Sequence, residues 1–143
     1  MTTDPVLRGA GRRETRERAV ELGYEALQRG LDVDALLATL TLAPDDYTVD
    51  LLRWTEEEQA ASDARIQDKA TGWTLGRMPR LDLLIMRLAV AELVRGTTPR
   101  GVVLAEATEL ASRYSTESSG RFVNGVLSAI ARDLDGGHTA VPG

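Results

Sequence analysis

Five arginines lie in the short segment from Leu7 to Arg18, together with two glutamates, so this segment carries a local charge of +3. Arginine is suited to polyanions because its guanidinium donates paired hydrogen bonds to phosphate and stacks on bases. The whole chain has a net charge of −5, which leaves −8 for the remaining residues. This asymmetry predicts one surface for a polyanion and another for a basic protein.

The arginines also follow a helical pattern. At about 100° per residue, Arg13 and Arg16 project within roughly 40° of the apolar Val20, and Arg12 lies at the edge of that stripe. Arg18 projects to the opposite side, where we expect it to face solvent and pair with Glu14. Arginines in a first helical turn oppose the helix dipole, so a purely structural role is disfavoured. The pattern favours RNA or another polyanion over a membrane surface, and the alternative is a solvated charged face.

Candidate catalytic groups are sparse. The only histidine, His138, falls near the end of the chain, and the absence of cysteine excludes thiolate metal sites. Glu106 and Glu109 share a helix flank, an arrangement more typical of surface charge than of paired catalytic carboxylates. We therefore expect no enzymatic activity, no metal and no cofactor. The N-terminal segment has no apolar signal region, which predicts a cytoplasmic protein without a membrane partner.

The elements that must position the arginines are helical throughout. A first helix is predicted from about Arg12 to Arg29, closed by Gly30, and a second after Asp32. A third should begin at a cap provided by Asp45 or Asp46 and reach about Thr71, with a break around Trp54–Glu58, where charged residues interrupt the apolar stripe.

The sequence of the second half of the chain predicts which helices form the core. Arg80–Arg95 is apolar almost all round and should form a central helix. A further helix should end at Tyr114, and a last one, capped by Ser118 or Ser119, should turn Phe122 inward. The prediction is an all-α single globule of six to seven helices. Its parts are a flexible arm (1–11), a helical domain (12–134) and a disordered tail (135–143).

Four segments resemble the NusB family of transcription antitermination factors, which implies two packed helical bundles. They are RRETRERAVELGY (12–24), RLDLLIMRLAVAEL (80–93), PRGVVLAEATELASRY (99–114) and RFVNGVLSAI (121–130). The resemblance implies binding to boxA-type single-stranded RNA of ribosomal RNA transcripts, together with the small-subunit ribosomal protein NusE, in the antitermination complex of RNA polymerase. It implies RNA contacts for Arg12, Arg13, Arg16, Tyr24, Arg121 and Phe122, and a NusE contact for Asp82.

A different class of function is the alternative. The arginine helix could lie in a subunit interface of a protein-binding or self-associating module, because the central helix carries more apolar residues than one core requires. A homodimer of this kind could also cover the RNA surface.

Overall fold

Six α-helices and one short 3₁₀ helix form the computed structural model, which describes the backbone of residues 5–140 and the side chains of residues 12–136. No strand occurs within residues 5–140, so the all-α prediction is confirmed. The 3₁₀ helix spans Leu75–Arg77. The α-helices are α1 (Pro5–Arg29), α2 (Val33–Ala38), α3 (Asp46–Lys69), α4 (Arg80–Arg95), α5 (Arg100–Tyr114) and α6 (Ser119–Ala140).

The predicted central helix is α4, which packs against α1, α3, α5 and α6. Its apolar residues are buried on several sides, including Ile85, Met86 and Val90, each at most 1% exposed. A helix that is apolar all round has no solvent face to offer, so it is stable only when other helices surround it. Two charged residues of α4, Asp82 and Glu92, are buried along with them, and Glu92 finds its partners on neighbouring helices.

Helix ends lie at the residues that the sequence marked as boundaries. Asp32 Oδ1 accepts a hydrogen bond from the Ala35 backbone N–H (2.8 Å) at the start of α2, and Asp45 Oδ1 accepts one from Thr48 (2.9 Å) at the start of α3. Gly30 ends α1 with φ +66°, a left-handed conformation that glycine adopts without steric cost. These caps fix where α1, α2 and α3 meet.

The predicted break in the third helix is wrong, since α3 is continuous from Asp46 to Lys69. The buried face of α3 alternates between apolar residues and small polar residues such as Thr55. Thr55 is buried because its hydroxyl donates to the Leu51 carbonyl of the same helix (2.6 Å). The neighbouring Glu56 accepts a hydrogen bond from the Val33 backbone N–H (2.9 Å) and so ties α3 to α2.

Two helix ends lie further out than predicted. The first helix begins at Pro5 rather than at about Arg12, and α6 continues to Ala140 past the expected end at about residue 134. The rest of the predicted arm and tail, residues 1–4 and 141–143, lie outside the described residues. None of the helices within the described part of the chain has the length and apolar character that a membrane crossing requires.

Candidate nucleic-acid interface

Arg16 points into the core, where it forms a two-point ion pair with Glu92 of α4. Its Nε lies 3.0 Å from Glu92 Oε1 and its Nη2 lies 2.6 Å from Oε2. Arg16 is only 5% exposed, because it lies on the same face of α1 as Val20, which is 1% exposed. The sequence predicted an RNA contact for Arg16, whereas the structure places its guanidinium inside the protein.

Glu92 is the centre of a larger hydrogen-bond network. Its Oε2 also accepts hydrogen bonds from the hydroxyls of Tyr47 (2.7 Å) and Thr98 (2.7 Å). Burial tends to raise the pKa of Glu92, but the hydrogen bonds and charge of Arg16, with the two hydroxyls, hold that pKa below its ordinary value of 4.5. The carboxylate therefore binds α1, α3 and the α4–α5 loop to α4.

Arg12 lies at the outer edge of this network. Its guanidinium carbon is 3.9 Å from the centroid of the Tyr47 ring, and its Nη1 donates to the Thr98 hydroxyl (3.0 Å). Tyr47 is itself held by Glu92 and by the edge of Trp54, whose ring centroid is 5.7 Å away. Arg12 forms no ion pair within residues 12–136. A half-buried arginine stacked on an aromatic ring and not neutralised by an acid is well placed to meet an anion.

Two further arginines of the segment, Arg13 and Arg18, have acidic neighbours, and the fifth, Arg8, lies outside the described side chains. Arg13 is 53% exposed, and within the described residues Glu106 engages only its Nε, at 3.2 and 3.3 Å. Its terminal nitrogens can still reach outward. Arg18 is exposed as predicted, but it pairs with Glu21 at 3.3 Å and not with the predicted Glu14.

The packing of α1 on α5 continues this surface. Glu17 of α1 accepts a hydrogen bond from the Tyr114 hydroxyl (3.2 Å) and pairs with Arg113 Nη2 (3.1 Å) at the end of α5. We call the line of contacts from Arg13 and Glu106 to these three residues the α1–α5 seam. Arg113, which is 49% exposed, was not among the predicted residues, because nothing in the local sequence relates it to α1.

The seam ends at the α5–α6 loop, beyond which Arg121 and Phe122 lie in the first turn of α6. Arg121 is exposed and Phe122 is half-buried against the core. Phe122 therefore packs inward, as its position in the helix predicted, and still presents part of its ring to the surface. A groove beside them is lined by Trp73, whose ring centroid is 5.8 Å from that of Phe122, and by Asp82. The structure thus brings Arg121, Phe122 and Asp82 together and adds Trp73.

Two predicted residues occupy unexpected environments. Asp82 was predicted to contact a protein partner, yet it is only 2% exposed, so a partner could reach it only by inserting a side chain into the groove. Tyr24 lies further along α1 and is partly buried against the core. Tyr47, Thr98 and Glu92 escaped the sequence analysis because their association depends on contacts between distant helices.

No cluster of three or more potential metal ligands occurs among the residues whose positions are described. His138, the candidate considered from the sequence, lies outside the described side chains. The site offers cations, aromatic rings and hydroxyls, which are groups that bind ligands non-covalently.

Comparisons with known proteins agree with this chemistry. A family model described as the NusB family matches residues 13–132. The transcription antitermination protein NusB of Solibacter usitatus is 39% identical over 133 residues, which span 87% of this chain and 91% of the relative.

Solved structures give the same result. A structure of NusB from T. maritima has a TM-score of 0.75 and 31% identity, covering 85% of this chain and 91% of its own. A chain in the crystal structure of a plectonemic RNA supercoil has a TM-score of 0.74 and 26% identity, covering 87% and 96%. The predicted family is therefore confirmed, and the chain belongs to the NusB family of transcription antitermination factors, which are RNA-binding proteins and not enzymes.

Proposed function

We propose that this factor binds boxA-type single-stranded RNA of ribosomal RNA transcripts together with a NusE homologue. In this proposal it acts in the cytoplasm, as part of the antitermination complex of RNA polymerase. The observation that carries the proposal is the guanidinium of Arg12, which is stacked on Tyr47 and forms no ion pair within residues 12–136. Single-stranded RNA is commonly bound by a cationic groove in which bases stack on aromatic or guanidinium planes.

Arg12 and Arg13 offer different contacts to RNA. Arg12 is fixed in place by Tyr47 and Thr98, so one face of its guanidinium can receive a base while its positive charge attracts phosphate. Arg13 keeps terminal N–H donors outside its contact with Glu106 and can bind a phosphate oxygen. Because these contacts already hold the side chains in place, RNA binding loses less conformational entropy.

We further propose that the RNA follows the α1–α5 seam from Arg12 and Arg13 toward Arg121. Arg113 lies on this route with half of its side chain exposed. The route ends at Phe122, which can contribute a ring for base stacking. Glu17 and Glu106 partly neutralise the arginines, which lowers non-specific attraction to RNA and supports a requirement for a partner.

Arg16 has a positioning role in this proposal. It fixes Glu92, which holds Tyr47 and Thr98, and these two residues hold Arg12. In this proposal Arg12 and Arg13 contact the RNA, whereas Arg16 holds in place the residues on which Arg12 rests.

The NusE homologue is supported by the charge distribution. Outside the arginine segment the chain carries a net charge of −8, which suits a basic ribosomal protein. A partner that adds its own cations beside the seam would raise the affinity for RNA. The acidic surface and the arginine surface would then act together.

A gel-shift assay tests the proposal. The probes are a boxA-like RNA and a scrambled RNA of the same composition, each with and without the purified NusE homologue. We expect a shift that is stronger for the boxA-like RNA and strengthened by the partner. Equal shifts for the two RNAs would contradict the boxA assignment, and no shift with either would contradict RNA binding. Sedimentation of the free protein tests the alternative, a stable dimer that binds no RNA.

A further inference from the structure

An apolar groove lies between the end of α1 and helices α2, α3 and α4, and we call it the α1–α3 groove. Its volume is about 180 Å³, and its walls are mostly aliphatic, including Leu27, Leu31, Leu52 and Leu84. Gly23 lets α1 approach α4 closely here, since an added Cβ would lie 3.0 Å from Leu84 Cδ1. Leu27 remains 37% exposed. The groove is therefore open to solvent and has room for one apolar side chain, because about 150 Å³ accepts a benzene ring.

The polar side chains of the α1–α3 groove offer little to a polar ligand. Arg87 forms a two-point ion pair with Asp63 (2.7 and 2.9 Å), and the Thr55 hydroxyl donates to a carbonyl of its own helix (2.6 Å). Glu56 accepts a hydrogen bond from a backbone N–H of α2 (2.9 Å), and the remaining polar residue, Gln59, is exposed to solvent. The interior therefore favours an aliphatic or aromatic side chain.

The excess negative charge of the chain is concentrated in the helices that border this groove. Residues 32–68, which include α2 and most of α3, contain ten acidic residues and two arginines, a net charge of −8. The arginine segment carries +3 and the whole chain −5, so the other residues together are neutral.

Two of these acids meet at the start of α2. Asp32 is the N-cap of α2, and Glu56 accepts its hydrogen bond from the Val33 N–H, one residue further on. Neither carboxylate forms an ion pair within residues 12–136. The α1–α3 groove thus combines apolar walls with a negatively charged end.

This groove faces away from the contact predicted for the NusE homologue. Asp82 lines the groove beside Trp73 and Phe122, whereas Leu84 and Leu88 line the α1–α3 groove. At about 100° per residue, Leu84 and Leu88 project at least about 120° away from Asp82 around α4. The two grooves lie on different sides of α4, so each can hold its own ligand.

We propose that the α1–α3 groove binds a basic amphipathic helix of a protein other than the NusE homologue. An apolar side chain of that helix inserts beside Leu27, and a lysine or arginine one turn away pairs with Glu56 and Asp32. Apolar burial provides most of the affinity, and charge complementarity at the end of the groove provides specificity. This inference goes beyond the proposed function and does not depend on the RNA contacts of Arg12 and Arg13.

Other occupants are disfavoured. The negative charge of α2 and α3 repels RNA and anionic membrane surfaces. A second copy of this chain could offer its arginine segment, but the apolar residues beside it, Ala19 and Val20, are at most 1% exposed and cannot insert. An extended peptide would need an unpaired strand edge, and no strand occurs within residues 5–140. A basic helix meets all of these conditions.

Fluorescence anisotropy tests the proposal with a labelled helical peptide of about 14 residues, built from alanine and lysine with leucines along one face. Two matched peptides replace every lysine with glutamate or every leucine with serine. We expect the full-length protein to bind the lysine–leucine peptide at least about tenfold more tightly than either matched peptide. No binding of the lysine–leucine peptide at about 1 mM, or equal binding of either matched peptide, would overturn the proposal.

Charge variants locate the peptide. Asp32→Asn combined with Glu56→Gln removes two charges but keeps the oxygen acceptors that bind the α2 backbone, so the fold should persist. The affinity for the lysine–leucine peptide should fall about fivefold to tenfold, the effect of two surface ion pairs. Asp46→Asn combined with Asp50→Asn is the matched control, since it removes two exposed acids from the first turns of α3. Equal losses in the two double variants would indicate unspecific attraction and overturn the site.

Filling the groove tests its apolar walls. Ala26→Phe places a ring in the α1–α3 groove and should weaken peptide binding about tenfold, whereas Ala105→Phe, on the exposed side of α5, should not. Unchanged binding by a folded Ala26→Phe variant would overturn the proposal, and if that variant does not fold, the charge variants decide. A saturating amount of the NusE homologue should leave the peptide affinity unchanged. Displacement of the peptide by that protein would overturn the claim of a separate docking surface.

Discussion

Arg16 and Glu92 are joined inside the protein by two parallel hydrogen bonds, of 3.0 Å from Nε and 2.6 Å from Nη2, although 76 positions separate them in the chain. The pair fixes α1 against α4. Since Glu92 also accepts hydrogen bonds from Tyr47 and Thr98, the same carboxylate determines where the partners of Arg12 lie. From inside the protein, Arg16 thereby determines where the contacts of Arg12 lie.

The first prediction concerns this pair. Arg16→Ala should lower the free energy of unfolding by about 3–5 kcal/mol, because it leaves Glu92 buried without a counter-charge. Urea denaturation measures the change. The matched control is Arg18→Ala, which removes an exposed pair with Glu21 and should cost at most about 1 kcal/mol. Equal losses in the two variants would contradict a structural role for Arg16.

The second prediction concerns pH. A carboxylate whose folded-state pKa is lowered contributes stability above its unfolded value, here 4.5, and loses it as the pH falls through the folded pKa. The free energy of unfolding should therefore fall below about pH 4.5, and more gently in Glu92→Gln. Some decline should persist, because hydrogen bonds from Thr48 and Thr15 outweigh burial and lower the pKa of Asp45 too.

Urea titrations from neutral pH to about pH 3 follow this slope. Glu109→Gln, which removes an exposed carboxylate from α5, gives the effect of charge removal alone. If the Glu92→Gln protein loses stability with acid as steeply as the parent does, Glu92 is not the group that titrates.

The helices were predictable because each leaves a local signature. The apolar residues of Arg80–Arg95 predict a central helix. Asp32, Asp45 and Gly30 predict helix ends, because a side-chain cap or a left-handed glycine involves only neighbouring residues. The continuity of α3 was not predictable from apolar spacing, because Thr55 is buried through a hydrogen bond to its own helix.

The site was harder to predict for a related reason. The projection that placed Arg16 on the Val20 side was correct, but that side faces the core, so the same geometry buries the guanidinium. Its partner Glu92 lies on another helix, as does Tyr47 beneath Arg12. Contacts of this kind depend on how the helices pack against each other, so the sequence around each residue does not reveal them.

The third prediction compares two glycines of α6. A Cβ at Gly120 would collide with the Ser112 hydroxyl and lie 3.3 Å from the Thr108 carbonyl oxygen, a backbone atom of α5 that cannot turn aside. Gly120→Ala should therefore destabilise the fold by about 1–3 kcal/mol. Gly125 has no heavy atom within 4 Å of its added Cβ, so Gly125→Ala should stabilise the helix by up to about 1 kcal/mol.

Thermal or urea unfolding of both variants provides the measurement. Each variant is the control for the other, since the substitution and the helix are the same. Changes of the same sign would show that the α5–α6 contact at Gly120 is looser than the structure indicates.

The fourth prediction tests Arg12 as an RNA contact. Arg12→Ala should weaken binding to a boxA-like RNA in the presence of the NusE homologue. It should also reduce the slope of log affinity against log salt by about 0.7, the value for one phosphate contact on a single strand. Fluorescence anisotropy at several salt concentrations measures both quantities. Arg18→Ala is the control, because Arg18 is exposed on the same helix but pairs with Glu21.

Arg12→Lys separates charge from stacking at the same position. Lysine keeps the positive charge but lacks the planar guanidinium that lies over Tyr47, so the salt slope should return to the parent value while the affinity stays lower. Full recovery of affinity in Arg12→Lys would reduce the role of Arg12 to phosphate attraction. If Arg12→Ala instead retains both the affinity and the slope seen for Arg18→Ala, the RNA does not contact Arg12. Removing a contacting cation must change the number of counterions released.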